Sequence, residues 1–350
     1  MFAADSKVAP EPARDTLTAE PVSSWKQIIE PVEPFLLAVN QQLSKQVDSF
    51  DPAIMPYADY ALNGQGKHLR PALVALTARA LGKLRESHVT VAVIIEMVHL
   101  ATLVHDDVMD EAEIRRRRLT LAANWGNEIA VLFGDCLFAQ ALKLAASFPT
   151  PDICRAVAAA TNTVCAGEIL QTQHRRDFLF TQKQYFKVLE MKTAELFALS
   201  SELSAFLSGT AQIFRQVLRQ FGLAFGTAYQ LYDDCVDLFG SETAAGKSLG
   251  TDLAKGKLTL PVLLLWERAS ETERRQITEL VECWENDSMK RMSKLLARHE
   301  TLSSSLNRIH EYLEISRQHL LALPASDGRA GLFGLTEYLA RQTDALGVSA

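Results

Sequence analysis

Two aspartate clusters carry the most explicit chemistry in the 350-residue chain: Asp106-Asp107-Val108-Met109-Asp110 and Asp233-Asp234-Cys235-Val236-Asp237. Each has the spacing DDxxD and each closes a long, mostly apolar segment. On a helix, positions i and i+4 share a face and i and i+3 nearly so, so each cluster gathers three carboxylates at one helix end. Anions that close repel one another, and near a helix C-terminus the dipole adds to the repulsion. A divalent cation offsets the charge, and hard oxygen ligands select Mg²⁺ or Mn²⁺. A single cluster reads equally well as a solvated helix end or the N-cap of the next helix. Two copies, each behind an apolar helix that reads as buried, point to carboxylates lining a cavity.

Mg²⁺ keeps several waters and is typically completed by substrate phosphates, and the chain supplies cations to read them. Gly64-Gln65-Gly66-Lys67-His68-Leu69-Arg70-Pro71 sets Lys67 and Arg70 at a predicted helix start, where free N–H groups favour an anion. Arg115, Arg116, Arg117 and Arg118 follow the first cluster directly, and Lys192, Lys247 and Lys257 are further point charges. Other catalytic patterns fail. Gly64-x-Gly66 lacks the third glycine of a dinucleotide fingerprint. Gly240 stands one residue too far before Gly246-Lys247-Ser248 for a P-loop, and no HExxH occurs.

The elements that must position these groups read as helices. From Trp25 onward apolar residues recur at three-to-four spacing. The predicted segments are an opening helix through Leu43, then 68–82, 86–110, 126–147, 151–176, 181–207, 211–239, 257–269, 271–286, 288–298, 302–322 and 327–345. No sustained period-two alternation predicts a strand. Glycine and proline, 17 and 12 residues, are too few for a turn-rich all-β chain. The expectation is one large all-α domain over 25–350 behind a disordered, proline-bearing tail at 1–24.

The net charge of −6 argues against a nucleic-acid surface. Five cysteines without CxxC spacing suit reduced thiols in a cytoplasmic protein better than disulfides or zinc. The most apolar stretch, Val89 to Val104, is short for a bilayer and contains Glu96 and His99, so no transmembrane segment is expected.

Ordered blocks along the chain sharpen this reading: Gly66-Lys67-His68-Leu69-Arg70-Pro71, Leu103-Val104-His105 before the first cluster with Arg115-Arg116 after it, Gly134-Asp135, Gly167-Glu168, Lys192-Thr193, Gln230 before the second cluster, Gly250-Thr251-Asp252 and Lys255-Gly256-Lys257-Leu258-Thr259-Leu260-Pro261. Together they resemble the trans-isoprenyl diphosphate synthases (polyprenyl synthetases) across nearly all of 25–345. The resemblance implies antiparallel helices around a deep cavity, a homodimer, and head-to-tail condensation of isopentenyl diphosphate with an allylic diphosphate. It implies that Asp106, Asp107, Asp110, Asp233, Asp234 and Asp237 bind Mg²⁺. Arg115, Lys192, Lys247 and Lys257 would contact the allylic diphosphate. Lys67, Arg70, His99 and Arg116 would hold isopentenyl diphosphate, and Thr193 and Gln230 would sit near the developing cation. The family usually has glycine after Arg115-Arg116, where this chain has Arg117 and Arg118.

Product length follows from what stands below the first cluster. Thr102 and Ala101, four and five residues before Asp106, lie about 6 to 7.5 Å down the helix. Both are small, and Val98, one turn deeper, carries no ring. Read as a tunnel without a floor, this predicts a product of C30 or longer, about C40, with Phe133, Phe138 and Leu142 as alternative closures. A C15–C20 synthase, a subunit of a heteromeric synthase and a class I terpene cyclase share parts of the pattern. Cyclases usually carry Asn, Ser or Thr in the second metal motif, and regulatory subunits tend to lose a cluster.

Overall fold

A computed structural model of the chain describes residues 24–62, 66–241, 249–285 and 287–349. The expected tail before Ser24, Gly64, Gln65 and the stretch Gly246-Lys247-Ser248 lie outside them.

Ser24 caps α1 (Trp25–Ile29) through a reciprocal capping box with Gln27. The predicted opening helix is in fact broken, because Pro31 lies in a short 3₁₀ turn (Glu30–Val32) and Pro34 opens α2 (Glu33–Val47). An unpredicted helix, α3 (Met55–Leu62), follows, then α4 (Leu69–Leu81) and the 24-residue α5 (Glu86–Met109). Beyond the first aspartate cluster, β1 (Ile114–Arg115) pairs antiparallel with β2 (Arg118–Leu119), a ribbon too short to show alternation. Thr120 caps α6 (Leu121–Trp125), and α7 (Asn127–Ala146) and α8 (Asp152–Gln173) run next.

The predicted helix at 181–207 is interrupted. α9 (Gln182–Leu189) passes into a π turn at Glu190–Ala194 before α10 (Glu195–Leu207). α11 (Gln212–Phe239) is the longest element. The chain then forms a short turn, α12 (Thr251–Ala254), and α13 (Leu260–Arg268). The latter starts later than the predicted 257 because Pro261 sits in its first turn. α14 (Glu271–Glu282), α15 (Ser288–Arg298), α16 (Thr301–Leu320) and α17 (Asp327–Ser349) complete the chain.

A contiguous set of buried apolar residues runs from Ile28 to Leu346. Its centre is the packing of α10 on α11, with α4, α5 and α16 around them. Phe197, Phe221 and Phe225 are fully or almost fully buried there, with neighbouring rings 5.9 Å apart. The two backbones approach so closely that a β-carbon at Gly222 would stand 2.6 Å from Ala198 Cα and from the Phe197 carbonyl oxygen.

α5 exceeds the length expected of its apolar stretch. It, α7 and α8 are each long and apolar enough to cross a membrane. Burial accounts for α5, whose apolar window is 61% covered by the protein. The windows of α7 and α8 are only 39% and 28% covered, so apolar faces remain open at Leu132 and Ile169.

Gly222→Ala forces α10 and α11 apart. The expected loss is about 1–3 kcal/mol, read as a fall of several degrees in the thermal midpoint; an unchanged midpoint contradicts the packing described.

Candidate active site

The C-terminal ends of α5 and α11 face one cavity of about 1650 Å³, larger than a typical small-molecule site of roughly 300–1,000 Å³. Asp106 and Asp110 line it from α5, and Gln230, Asp233 and Asp234 from α11. Glu168 and Gln171 come from α8, Lys192 and Thr193 from the π turn, and Asp252, Lys255 and Lys257 from the α12 region. Single π turns inside helices frequently mark functional positions. Here the turn is closely backed by α8, since a β-carbon on Gly167 would stand 2.8 Å from the Lys192 amide nitrogen.

Asp106, Asp110 and Glu168 are paired with this chain's own cations. Asp110 accepts from Lys257 Nζ at 2.6 Å and Arg175 Nη2 at 2.9 Å, with Lys255 at 3.8 Å. Burial alone would raise its pKa, but Lys257, Lys255 and Lys192 more than offset that and hold it below the usual value. Lys192 pairs with Glu168, lies 3.6 Å from Asp106 and donates to Gln171 Oε1 at 2.9 Å. Burial opposes its charge, yet Asp106 and Glu168 raise its pKa overall.

Asp107 departs from the three-carboxylate picture. One residue on from Asp106, it is rotated off the cavity face, is 5% exposed, and accepts from Arg115 Nε at 2.7 Å.

The second cluster divides in the same way. Asp234 is almost buried, and both its oxygens are occupied: Tyr185 Oη donates to Oδ2 at 2.5 Å and Gln230 Nε2 to Oδ1 at 2.8 Å. Thr193 Oγ1 donates in turn to Gln230 Oε1 at 2.9 Å. Burial and the nearby Asp252 push Asp234 up to about 8 despite these donors. Asp237 stands one turn further along, where the α12 segment covers α11. It is 1% exposed and accepts from Thr251 Oγ1 at 2.7 Å and the Asp252 amide at 3.1 Å. It therefore holds the segment that carries Asp252 to the cavity.

Lys67, Arg70, His99, Arg115, Arg116 and Arg117 line the cavity beside these groups. Arg70 lies 4.6 Å over the Phe197 ring, and its Nε is buried without a hydrogen-bond partner. Burial, then Arg70, Arg116 and Arg115, hold the His99 pKa well below its usual value, so the ring is neutral. Lys247 lies outside the described residues.

The tunnel residues also divide. Thr102 lines the cavity, and Phe138 lines it from α7. Ala101 and Val98 are 0% and 1% exposed in the packed core and do not line it; Ala101 is turned off the Thr102–Asp106 stripe, and Val98 lies a turn deeper. Phe133 packs on Phe50 and Tyr57 in the core instead of closing the cavity.

Arg175 and Tyr185 belong to no spacing pattern that marks a ligand, and their roles emerge only from the fold. Among the described residues no three His, Cys, Asp or Glu side chains are gathered closely enough to hold a metal ion by themselves. The donor set nevertheless fits a hard divalent cation. Every acceptor at the two helix ends is a carboxylate oxygen, and a diphosphate would supply further oxygens while drawing the lysines and arginines away.

A sequence profile of the polyprenyl synthetase family matches residues 51–298. The octaprenyl diphosphate synthase of Haemophilus influenzae is 32% identical over 313 residues, 89% of this chain and 95% of that protein. The octaprenyl diphosphate synthase of Escherichia coli is 34% identical over 247 residues, 71% of this chain and 76% of that protein. Among solved structures, a decaprenyl diphosphate synthase from Rhodobacter capsulatus superposes with a TM-score of 0.86 at 30% identity, covering 91% of this chain and 99% of that one. A polyprenyl synthase from Caulobacter crescentus, complexed with calcium and isoprenyl diphosphate, gives the same TM-score and identity over 92% and 99%. With two acidic helix ends and a ring of cations meeting in one cavity, and this likeness across most of its length, the chain belongs to the polyprenyl synthetase family.

Proposed function

We propose that the protein is a trans-polyprenyl diphosphate synthase that adds isopentenyl diphosphate head-to-tail to an allylic diphosphate and releases diphosphate. The observation that carries this reading is the meeting of Asp106, Asp110, Asp233 and Asp234 with Lys192, Lys257, Arg115 and Arg70 in one cavity that is apolar below. Asp106, Asp110, Asp233 and Asp234 would hold Mg²⁺, which neutralises charge on the leaving diphosphate. Asp107 and Asp237 act one layer back, on Arg115 and on the α12 segment.

Lys192 and Lys257 move from carboxylate to phosphate as the diphosphate enters, so cations face the oxygens on which negative charge develops. Lys67, Arg70 and neutral His99 hold the second diphosphate. The Thr193 and Gln230 oxygens stand near the allylic carbon chain, where dipoles stabilise positive charge without attacking it. Leu100, Leu103 and Phe138 exclude water that would quench that cation. No side-chain base is needed if the departing diphosphate takes the proton.

The cavity extends from the carboxylates past Thr102 to Val131 and Phe138. That supports a product of C30 or longer, near the octaprenyl length of two relatives. The open apolar faces of α7 and α8, with Val131 41%, Leu132 61% and Ile169 59% exposed, support a homodimer joined there. All five cysteines are free, in keeping with a reducing, cytoplasmic setting.

Incubation of the purified protein with radiolabelled isopentenyl diphosphate, a C15 allylic diphosphate and Mg²⁺ is expected to yield polyprenyl diphosphate of about C40. A hydrocarbon product would mean a cyclase, and silence until a second chain is added would mean a subunit. Thr102→Phe is expected to shorten the product, whereas Ala101→Phe overpacks the core and lowers the thermal midpoint; unchanged chain length in Thr102→Phe removes the tunnel assignment. Tyr185→Phe leaves the buried Asp234 short of one donor, a loss of about 1–3 kcal/mol. It is expected to lower kcat at least tenfold and raise the Mg²⁺ concentration needed for half-maximal rate. Wild-type rate and Mg²⁺ dependence would show that Tyr185 does not position Asp234.

A further inference from the structure

The β1–β2 ribbon turns through Arg116 and Arg117, both in the left-handed region with φ of 49° and 62°. Two successive positive-φ residues form the tight hairpin turn that Gly, Asn and Asp fill most readily, and a β-carbon disfavours that conformation. The ribbon is clamped from outside. Arg118 lies 4.2 Å over the Tyr60 ring, the Tyr60 hydroxyl donates to the Leu119 carbonyl at 2.6 Å, and Tyr60 packs edge-on against Trp125 at 5.0 Å. On the other side Arg116 reaches Gly66, where a β-carbon would stand 2.8 Å from its Nη1. The turn thus lies beside Lys67.

Arg117 lines the cavity. Whereas Arg115, Arg175, Lys192, Lys255 and Lys257 are each engaged with a carboxylate there, Arg117 has no hydrogen bond or ion pair among the described residues. Lys67 shares that state, and Arg70 presents its buried, unpartnered Nε nearby. A guanidinium held in a disfavoured backbone conformation, at a cavity wall and without a carboxylate, is placed for an anion that comes from outside.

We propose that Arg117 is a diphosphate anchor specific to this chain. Together with Lys67 and Arg70 it grips the diphosphate of the isopentenyl substrate, and the unfavourable turn persists because it presents that contact. The assignment rests on the synthase reading for the identity of the ligand.

Equilibrium titration of isopentenyl diphosphate into the full chain, with Mg²⁺ and farnesyl thiolodiphosphate present, tests it. Arg117→Gly and Arg117→Asn both suit a positive φ and remove the charge; each is expected to weaken isopentenyl diphosphate about 5- to 10-fold. Their thermal midpoints should be no lower than wild type, and affinity for farnesyl thiolodiphosphate should stay within twofold. Arg117→Lys, which keeps the charge, is expected to retain affinity within twofold. Unchanged isopentenyl diphosphate affinity in Arg117→Gly overturns the proposal, as does an equal loss for both ligands. A wild-type protein that binds isopentenyl diphosphate without elongating it removes the synthase reading, while the Arg117→Gly loss still supports the anchor.

Discussion

Asp106, Asp110, Glu168, Asp233, Asp234 and Asp252 crowd one cavity, and carboxylates that dense must be neutralised or protonated. The protein meets much of this constraint with its own cations: Asp110 collects Lys257, Arg175 and Lys255, and Lys192 lies between Glu168 and Asp106, while Asp234 has, among the described residues, only the neutral donors Tyr185 and Gln230. Those pairings explain why the elements are where they are. α5 and α11 bring the carboxylates, α8 and the π turn bring Glu168 and Lys192, and Asp237 fastens the segment that brings Asp252. Lys192, Lys255 and Lys257, which pair with carboxylates here, line the cavity where a diphosphate would also meet them. On the proposed reading, metal and diphosphate would enter together, the carboxylates holding the metal and the lysines the phosphates.

The second constraint is dryness. An allylic cation survives only where water is excluded, and the same helices that carry the charges supply the apolar wall below them. α5 shows both demands in one element: its last turn is acidic, and its apolar middle, from Val91 to Val98, is buried. The packing of α10 on α11, close enough to require glycine at 222, gives that wall a rigid backing.

Much of this was legible in the sequence. The two clusters and the helix periodicity are patterns of type and spacing, the cations at 67, 70, 115, 192 and 257 were marked by the family resemblance, and aspartates of both clusters and all five cations line the cavity. What escaped depends on helix phase and on long-range contact. Asp107 and Asp237 share their clusters' spacing yet face the protein, since one residue of rotation or one turn of length changes what a side chain meets. Ala101 is small because the core is tight there, not because a tunnel passes. Tyr185 in α9 and Arg175 in the turn after α8 reach the aspartates from 49 and 65 residues away in the chain, a separation that no local pattern encodes. The π turn is invisible to a periodicity that reads 181–207 as one helix.

The central claim is that the carboxylates exchange their lysines and arginines for metal only when a diphosphate arrives. Calorimetric titration of Mn²⁺ into the full chain, with and without inorganic diphosphate, tests it most directly. The account predicts weak binding to the protein alone and binding at least tenfold tighter with diphosphate present. Equally tight Mn²⁺ binding in its absence would contradict it.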